Sequence, residues 1–323
     1  MSSGDDSLKK SGNDGQFKRQ KLKIDGWVIL DKPLNVMSTK AVNIIRRSFG
    51  AAKAGHSGTL DPLATGMLPI ALGEATKTIP YVMDATKDYA FSIAWGAETT
   101  TDDCEGEVSV THDHRPSKAD VDAILPEFTG RISQVPPIYS AIKKDGKRAY
   151  DLARNNEKVE LDAREVDIHQ LECLSCDDTE ASFMVTTGKG AYIRSLGRDM
   201  ARALGSAAHV IKLRRLRVGP FSHEKSISLD FFEKITNSAQ AFEALHPVLT
   251  ALDDIPALAI TEDDAIRLRR GQKIELGARP ALTQVDPDAD DVVMTALYEG
   301  QLTALVTVHG STASPIRVFN LSS

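Results

Sequence analysis

Residues 54–77 read AGHSGTLDPLATGMLPIALGEATK and place one carboxylate, Asp61, in a loop rich in glycine. Asp61 precedes Pro62, and a residue before proline is driven towards extended backbone, so this carboxylate is held rather than free to cap a helix. The neighbouring glycines allow a ligand to approach the backbone closely. Taken alone, the stretch is equally typical of a plain turn, because Gly, Asp-Pro, Ser and Thr are common turn residues.

The same glycines suggest a phosphate-binding loop, but the details disagree. A Walker loop needs Gly-Lys-Ser/Thr in succession, whereas Glu, Ala and Thr separate Gly73 from Lys77. Dinucleotide and acyl-transfer fingerprints are missing, and the histidines are too scattered to predict a metal centre. A lone acid can still be a covalent nucleophile at a sugar carbon or uracil ring, provided that it stays ionised. An arginine would keep the pKa of Asp61 low, and Arg194 is a candidate.

Charge is distributed unevenly along the 323 residues, whose net charge is -6. From Asp253 onward there are eleven acidic and six basic residues, which leaves 33 basic and 34 acidic residues in the rest of the chain. The acidity therefore belongs to the C-terminal part. Local basic clusters in the body remain able to face a phosphate backbone.

Several classes of protein are disfavoured by the composition. No apolar run approaches the roughly 20 residues that span a bilayer, and the N-terminus lacks the apolar centre of a secretory signal. Three cysteines, with Cys173 and Cys176 as a lone CxxC pair, predict neither a disulfide framework nor a zinc site. We expect a cytoplasmic protein that does not associate with membranes.

Hydrophobic periodicity predicts alternating strands and helices. We expect strands at 26–30, 89–96, 165–173, 181–187 and 210–221. We expect helices capped by Ser38 or Thr39 and ending near Gly50, over 117–128, and after Gly190.

The composition changes at about residue 253. Thr261-x-x-Asp264 predicts a capped helix that stops at Gly271. Two strands, DVVMTALYE and LTALVTVHG, are predicted to pair through a turn at 299–300. The acidic DPDADD at 286–291 is predicted to form an exposed turn.

Five segments resemble, in order, the motifs of the tRNA pseudouridine synthase B family, whose members act on uridine 55 in the T-arm of tRNA. They are GWVILDKPLNVMST, AGHSGTLDPLATGMLPIALGEATK, QVPPIYSAIKKDGKRAYDLAR, GKGAYIRSLGRDMARALG and HVIKLRRLRVGPF. The resemblance covers roughly residues 24–222. One such match could arise by chance, but five in the family's order predict membership.

The resemblance implies an α/β (α+β) fold with a mixed, largely antiparallel sheet, flanking helices and an inserted thumb. It divides the chain into a disordered tail (1–22), a catalytic domain (23–250) with the thumb at about 136–165, and a small β-rich PUA-like RNA-binding domain (251–323).

Three catalytic roles follow from the resemblance. Asp61 would be the nucleophile, Arg194 would pair with it, and Tyr89 would pack on the uracil close to the proton that leaves C5. From alternation alone, Tyr89 could equally be an ordinary core residue of its strand.

Four further residues would bind the substrate. Tyr192 and Leu213 would wall the base pocket, His56 would fill the space left by a flipped base, and Lys32 would support the site near Pro33. A loop hydrogen bond is the simpler explanation of His56.

Two positions depart from the family's motifs. Asn35 stands where glycine is usual, but asparagine tolerates a positive φ, so the turn can survive. Ala191 replaces a threonine and removes one hydroxyl.

The thumb-like segment is basic and would contact the RNA backbone through phosphates, which position RNA without reading its sequence. Its basic residues are Lys143, Lys144, Lys147, Arg148 and Arg154. A solvated loop is the alternative. Arg198 and Arg202, spaced four residues apart after Arg194, could reach phosphate or pair with acids such as Asp199.

The predicted function is isomerisation of uridine 55 in the T-arm stem-loop of tRNA. This reaction needs no cofactor and no metal, since nothing is oxidised or energised from outside. We expect a monomer without an obligatory protein partner. One alternative is a non-catalytic RNA-binding or RNA-folding protein, against which the presence of Asp61, Tyr89, Tyr192 and Arg194 argues. The other is a related enzyme that uses guide RNA or protein subunits; the compact C-terminal region and the lack of long basic extensions favour the stand-alone enzyme instead.

Overall fold

The computed structural model describes residues 22–140, 142–144, 146–149, 160–235, 239–277 and 291–321. The predicted disordered tail lies outside these ranges apart from Leu22, as does the acidic segment 286–291 apart from Asp291. Within the described ranges, no helix is long and apolar enough to cross a bilayer.

The strands are β1 (Gly26–Lys32), β2 (Ala54–His56), β3 (Thr65–Leu72), β4 (Lys87–Trp95), β5 (Ala97–Thr99), β6 (Val108–Thr111), β7 (Gly130–Gln134), β8 (Lys143–Lys144), β9 (Lys147–Arg148), β10 (Arg164–Cys176), β11 (Glu180–Thr187), β12 (Ala208–Val218), β13 (Phe221–Ser222), β14 (Ile227–Ser228), β15 (Leu245–His246), β16 (Ala257–Ala259), β17 (Ile274–Glu275), β18 (Val292–Tyr298), β19 (Gln301–His309) and β20 (Thr312–Val318).

The α-helices are α1 (Ser38–Ser48), α2 (Ile79–Asp84), α3 (Lys118–Ile124), α4 (Ile193–Ala203), α5 (Leu229–Lys234), α6 (Ala239–Glu243) and α7 (Glu262–Arg269). Short 3₁₀ turns lie at Gly73–Lys77, Leu125–Phe128, His223–Lys225 and Val248–Leu252.

One large mixed sheet organises residues 26–246. Its strand order is β14-β1-β3-β12-β4-β11-β10-β7, with β2, β13 and β15 pairing at the side. The ladders are antiparallel except for β1 with β14 and β12 with β3. The predicted mixed, largely antiparallel sheet is therefore confirmed.

Strand β1 is buried on both faces, which explains why its residues 26–30, GWVIL, form an unbroken apolar run. Val28 and Leu30 pack in the core that includes residues of helices α1 and α4. Trp27 and Ile29 point into a second core, which also contains Phe319, close to the end of the chain. A strand covered on both sides has no polar face to alternate with.

The C-terminal β-rich unit has its own sheet, ordered β16-β18-β19-β20-β17. Helix α7 begins with the predicted capping box, in which Thr261 and Asp264 bond reciprocally. β18 and β19 form the predicted hairpin, and its turn uses positive φ at Glu299 and Gly300. Two successive positive φ values match the right-handed twist of the paired strands.

One predicted helix cap is wrong. The residue before helix α1 is Met37, and no side chain caps the helix. The hydroxyl of Ser38 instead donates to Leu60 O at 2.8 Å and accepts from Leu60 N at 2.9 Å. A long-range partner thus replaces the local one, and it ties the start of helix α1 to the residue before Asp61.

Candidate active site

The turn that follows β1 fixes the loop carrying Asp61. Pro62 O accepts hydrogen bonds from Asn35 N at 2.8 Å and from Lys32 Nζ at 3.3 Å. Asn35 adopts φ 61°, as the sequence predicted for an asparagine in place of glycine. The carbonyl of Pro62, the residue after Asp61, therefore accepts from two directions.

Lys32 lies inside this turn rather than on its surface. It is fully buried, and Nζ also donates to Pro33 O at 3.0 Å and Val36 O at 2.8 Å. Burial lowers the pKa of Lys32 to about 8, although the nearby charge of Asp61 opposes this fall. Lys32 therefore holds the backbone around Asp61 and supplies a cation beside it.

Arg194 forms an ion pair with Asp61, with 3.0 Å between the guanidinium and the carboxylate. Its side chain is only 5% exposed and also contacts Asp103 at 3.2 Å. Two backbone carbonyls, Thr101 O and Tyr139 O, each accept from it at 2.9 Å. The planar guanidinium thus joins the Asp61 loop to two other segments.

The expectation that Arg194 keeps the pKa of Asp61 low needs correction. Burial raises the pKa of Asp61 above its ordinary value and is the largest influence; Arg194 and Lys32 act against that rise. Asp103 contributes in the same direction as burial. The arginine therefore limits an upward shift rather than producing a downward one.

A cavity of about 320 Å³ opens beside this ion pair. Five of the seven predicted catalytic and substrate-binding residues line it: Asp61, Tyr89, Tyr192, Arg194 and Leu213. Tyr89 is also buried and packs in the main core, so its core position and its place on the cavity wall coexist. The structure brings these residues together from four separate parts of the chain.

Lys32 and His56 are not among the residues that line this cavity. His56 is half-buried, and its Nδ1 accepts a hydrogen bond from Gly58 N at 3.3 Å. Burial and the charge of Arg215 lower the pKa of His56, which favours a neutral ring. The loop hydrogen bond expected as the simpler explanation is thus present.

Sequence reasoning missed two buried cations on the cavity wall, Lys87 and Arg215. Arg215 is 2% exposed and donates to Met67 O at 2.8 Å and Gly58 O at 3.1 Å. Burial lowers the pKa of Lys87 to about 8. In LRRLR nothing distinguishes the buried Arg215 from the half-exposed Arg214 and Arg217 except the alternation of the strand.

Asp103 and two hydroxyls were also missed. Ser57 and Ser140 line the cavity, and neither hydroxyl has a hydrogen-bond partner within the described part of the chain. A buried hydroxyl without a partner costs free energy, so both are available to a polar ligand. Their sequence context, in a glycine loop and a basic segment, carries no comparable signal.

The basic insertion is described only in part. The backbones of Lys143, Lys144, Lys147 and Arg148 form the β8–β9 hairpin, whereas their side chains lie outside the description. Arg154 lies outside the described residues altogether. Their contact with RNA remains a prediction.

Arg198 and Arg202 pair with acids, which was one of the two alternatives. Arg198 bonds Asp102 and Asp199, each at 2.8 Å, and Arg202 contacts Glu98 at 2.6 Å. The pairs with Asp102 and Glu98 hold helix α4 against the segment that carries Asp103, whereas Asp199 lies on the helix itself.

Comparisons with known proteins show which family the chain belongs to. Residues 46–193 match the model of the TruB family pseudouridylate synthase N-terminal domain, and residues 194–255 match that of the tRNA pseudouridylate synthase B C-terminal domain. The tRNA pseudouridine synthase B of Caulobacter vibrioides is 49% identical over 93% of this chain and 97% of its own. That of Bradyrhizobium diazoefficiens is 49% identical, covering 98% and 92% respectively.

Solved structures show the same fold. A chain of a Cbf5-Nop10-Gar1 complex superposes with a TM-score of 0.68 at 24% identity, covering 92% of this chain and 85% of that one. Its identity is low enough that this likeness concerns the fold alone. On the family models and the relatives, this chain belongs to the TruB family of pseudouridylate synthases, which are enzymes.

Proposed function

We propose that this protein isomerises uridine 55 in the T-arm of tRNA to pseudouridine, as a cytoplasmic monomer without an obligatory protein partner. Its family and its relatives, which carry the name tRNA pseudouridine synthase B, support the reaction and the class of RNA. The choice of the T-arm rests on the motif resemblance.

The Asp61–Arg194 ion pair at the wall of the cavity carries the proposal. A third of the Asp61 side chain (34%) stays exposed, while Arg194 is held by buried partners. A carboxylate can act as a covalent nucleophile when it is ionised and desolvated on one side. Arg194 and Lys32 favour that ionised form against the effect of burial.

The reaction is a rearrangement within one nucleotide. The bond between ribose C1′ and uracil N1 breaks, C1′ joins C5, the proton on C5 leaves and N1 is protonated. Atoms and electrons balance without an oxidant or an energy source. The carboxylate of Asp61 is the nucleophile and attacks C1′ or C6. In the alternative route it first acts as a base and takes a ribose proton, which forms a glycal.

The uridine has to leave its stack to reach Asp61, at a cost of a few kcal/mol. We propose that Tyr89, Tyr192 and Leu213 receive the flipped base, because aromatic and apolar walls favour stacking. His56, in β2 ahead of the Asp61 loop, would occupy the gap that the base leaves, and its neutral ring suits stacking.

The rest of the chain would hold the RNA. We propose a catalytic domain at 23–250 with a thumb at 136–165 that contacts phosphates through its basic residues. The C-terminal region 251–323 would be a PUA-like RNA-binding domain. Phosphate contacts of this kind position an RNA without specifying its sequence.

Asp61→Asn tests the proposal. The amide keeps the size of the carboxylate but is a poor nucleophile, so we expect no pseudouridine in a T-arm stem-loop and RNA binding within about threefold of wild type. Asp31→Asn is the matched control, because Asp31 also pairs with an arginine, Arg214, at 2.9 Å but does not line the cavity.

Turnover by Asp61→Asn at the wild-type rate would contradict the assignment of Asp61 as the nucleophile. Mapping pseudouridine in total tRNA from cells with and without the protein tests the substrate. Loss confined to position 55 is expected, and loss at another position would overturn the T-arm assignment.

A further inference from the structure

The chain leaves the main sheet at Gln134 and returns to it at Arg164. The intervening residues 135–163 are called the insertion below. Gln134 and Arg164 are cross-strand partners in the antiparallel ladder of β7 and β10. Both contact the segment 190–192, which precedes helix α4 and lines the cavity.

Gln134 bonds both backbone groups of Tyr192. Its Nε2 donates to Tyr192 O at 3.2 Å, and its Oε1 accepts from Tyr192 N at 2.8 Å. Gln134 is 1% exposed, so little water can replace these bonds. Only an amide of this length offers a donor and an acceptor side by side.

Arg164, the residue that follows the insertion, contacts Tyr192 from strand β10. Its guanidinium lies 5.0 Å from the centroid of the Tyr192 ring, within the range of a cation–π contact. The same group donates to Gly190 O at 2.9 Å. A lysine would keep the charge but lose the planar face that stacks on the ring.

The first residues of the insertion, after Gln134, are also hydrogen-bonded to helix α4. Val135 O accepts from Ser195 Oγ at 2.8 Å and from Arg198 at 3.0 Å. Tyr139 O accepts from Arg194, which pairs with Asp61. The base of the insertion is thus bonded to helix α4 through Val135 and to the cavity-lining Arg194 through Tyr139.

We propose that Gln134 and Arg164 are positioning residues that orient Tyr192, so that the base of the insertion and the wall of the base pocket form one rigid unit. The inference rests on the proposed function, in which Tyr192 walls the flipped uracil. Neither side chain needs to touch the substrate. A purely structural pair, holding only the end of the sheet together, is the competing explanation.

The first test measures geometry without any substrate. Nitration of tyrosines by tetranitromethane, followed by peptide mass spectrometry, reports how accessible each ring is. In Arg164→Gln we expect Tyr192 to react severalfold faster than in wild type, while the rate at Tyr298 is unchanged. Equal nitration of Tyr192 in the two proteins would overturn the stacking role of Arg164.

The second test separates positioning from RNA binding. For Gln134→Leu, Arg164→Gln and Arg164→Lys, the single-turnover rate on a T-arm stem-loop and the Kd of that RNA are measured together. Because misplacing a group by about 1 Å can cost up to roughly a hundredfold in rate, we expect a fall of about tenfold or more with Kd within twofold. Arg164→Lys should retain an intermediate rate.

Arg131→Gln is the control for lost charge. Arg131 lies in β7, the strand of Gln134, is 73% exposed and pairs with Glu165 of β10 at 3.5 Å; its variant should keep the wild-type rate. A rate loss in the Arg164 variants that only parallels a rise in Kd, or a fall in melting temperature, would overturn the proposal. A wild-type protein that leaves this RNA unmodified would refute the proposed function instead, and the nitration result would still decide the geometry.

Discussion

The two halves of residues 54–77 lie in one motif of the family but face different parts of the structure. The first half presents Asp61 to the cavity, where a third of its side chain stays exposed. The second half, residues 66–77, contributes no residue to that cavity and ends in the 3₁₀ turn Gly73–Lys77. It binds the last described residues of the chain instead.

The charged side chains of the second half are paired with other groups of the protein. Lys77 Nζ donates to Glu74 at 2.6 Å and to Val318 O at 2.8 Å. The same carboxylate oxygen of Glu74 accepts from Asn320 N at 2.7 Å. Phe319, between these two residues, is 2% exposed and packs in the second core.

The difference shows that one motif can contain both a residue proposed for the reaction and residues that hold two parts of the fold together. Glu74 and Lys77 neutralise each other and fix the C-terminal sheet to the catalytic sheet. Asp61 also has a cationic partner, but that partner is buried and the carboxylate faces open volume. Variants of the first half should therefore change the reaction, and variants of the second half should change stability.

The largest effect is expected for Arg194→Gln. Its loss leaves Asp61 without its ion pair, so we expect the single-turnover rate to fall by about a hundredfold or more. Arg194 lowers the pKa of Asp61 against burial. Since the proposed nucleophile Asp61 reacts in its ionised form, activity should disappear as pH falls through its pKa, and the variant should lose activity at a higher pH than wild type.

Arg214→Gln is the matched control, because Arg214 pairs with Asp31 at 2.9 Å on a half-exposed surface. It should keep both the rate and the pH profile. Arg194→Lys keeps the positive charge and serves as the second variant in case Arg194→Gln does not fold. A wild-type rate in Arg194→Lys would contradict a role for the planar guanidinium. An acid limb that stays in place in Arg194→Gln would contradict the electrostatic argument.

A smaller effect is expected for Lys32→Met, since Lys32 acts on Asp61 mainly through the backbone. Its ammonium bonds three carbonyls, and a pKa of about 8 means that the amine keeps only two N–H donors above that pH. We expect the wild-type rate to decline above about pH 8. Lys32→Met should be about tenfold slower and lack this decline.

The exposed Lys40→Met is the control for Lys32→Met and should retain the wild-type profile. An identical alkaline decline in Lys32→Met and wild type would assign that decline to another group, of which Lys87 is the first candidate because burial lowers its pKa to about 8 as well.

Local patterns predicted the parts of the fold that depend on neighbours in sequence. Alternation in β4 and the Thr261–Asp264 box are examples, and both are present. The cap of helix α1 could not be predicted, because Ser38 bonds Leu60 in a segment that only the tertiary fold brings near. Local propensity is overridden where a distant partner is available.

The same limit applies to the site. The pairing of Asp61 with Arg194 could be predicted because both lie in recognisable motifs. Asp102 and Asp103 are adjacent and alike in sequence, yet Asp102 bonds Arg198 while Asp103 bonds Arg194. The raised pKa of Asp61 depends on how deeply the finished fold buries it, which no local pattern records.

The smallest effect is expected for Lys77→Met, which tests the second half of the stretch. The variant loses the bonds to Glu74 and Val318 O and the contact of the ammonium with the Phe319 ring, 5.8 Å from its centroid. We expect a loss of about 1 kcal/mol in the free energy of unfolding. The melting temperature should fall by a few degrees.

The single-turnover rate of Lys77→Met at saturating RNA should stay within about twofold of wild type, because a wall that is intact orients the substrate as before. Lys118→Met removes a comparable pair with Asp122 that is half exposed on both sides, and it should leave the melting temperature unchanged. If Lys77→Met slowed the reaction as much as Arg194→Gln while melting normally, the second half of the stretch would belong to the chemistry, and the division drawn between the two halves would fail.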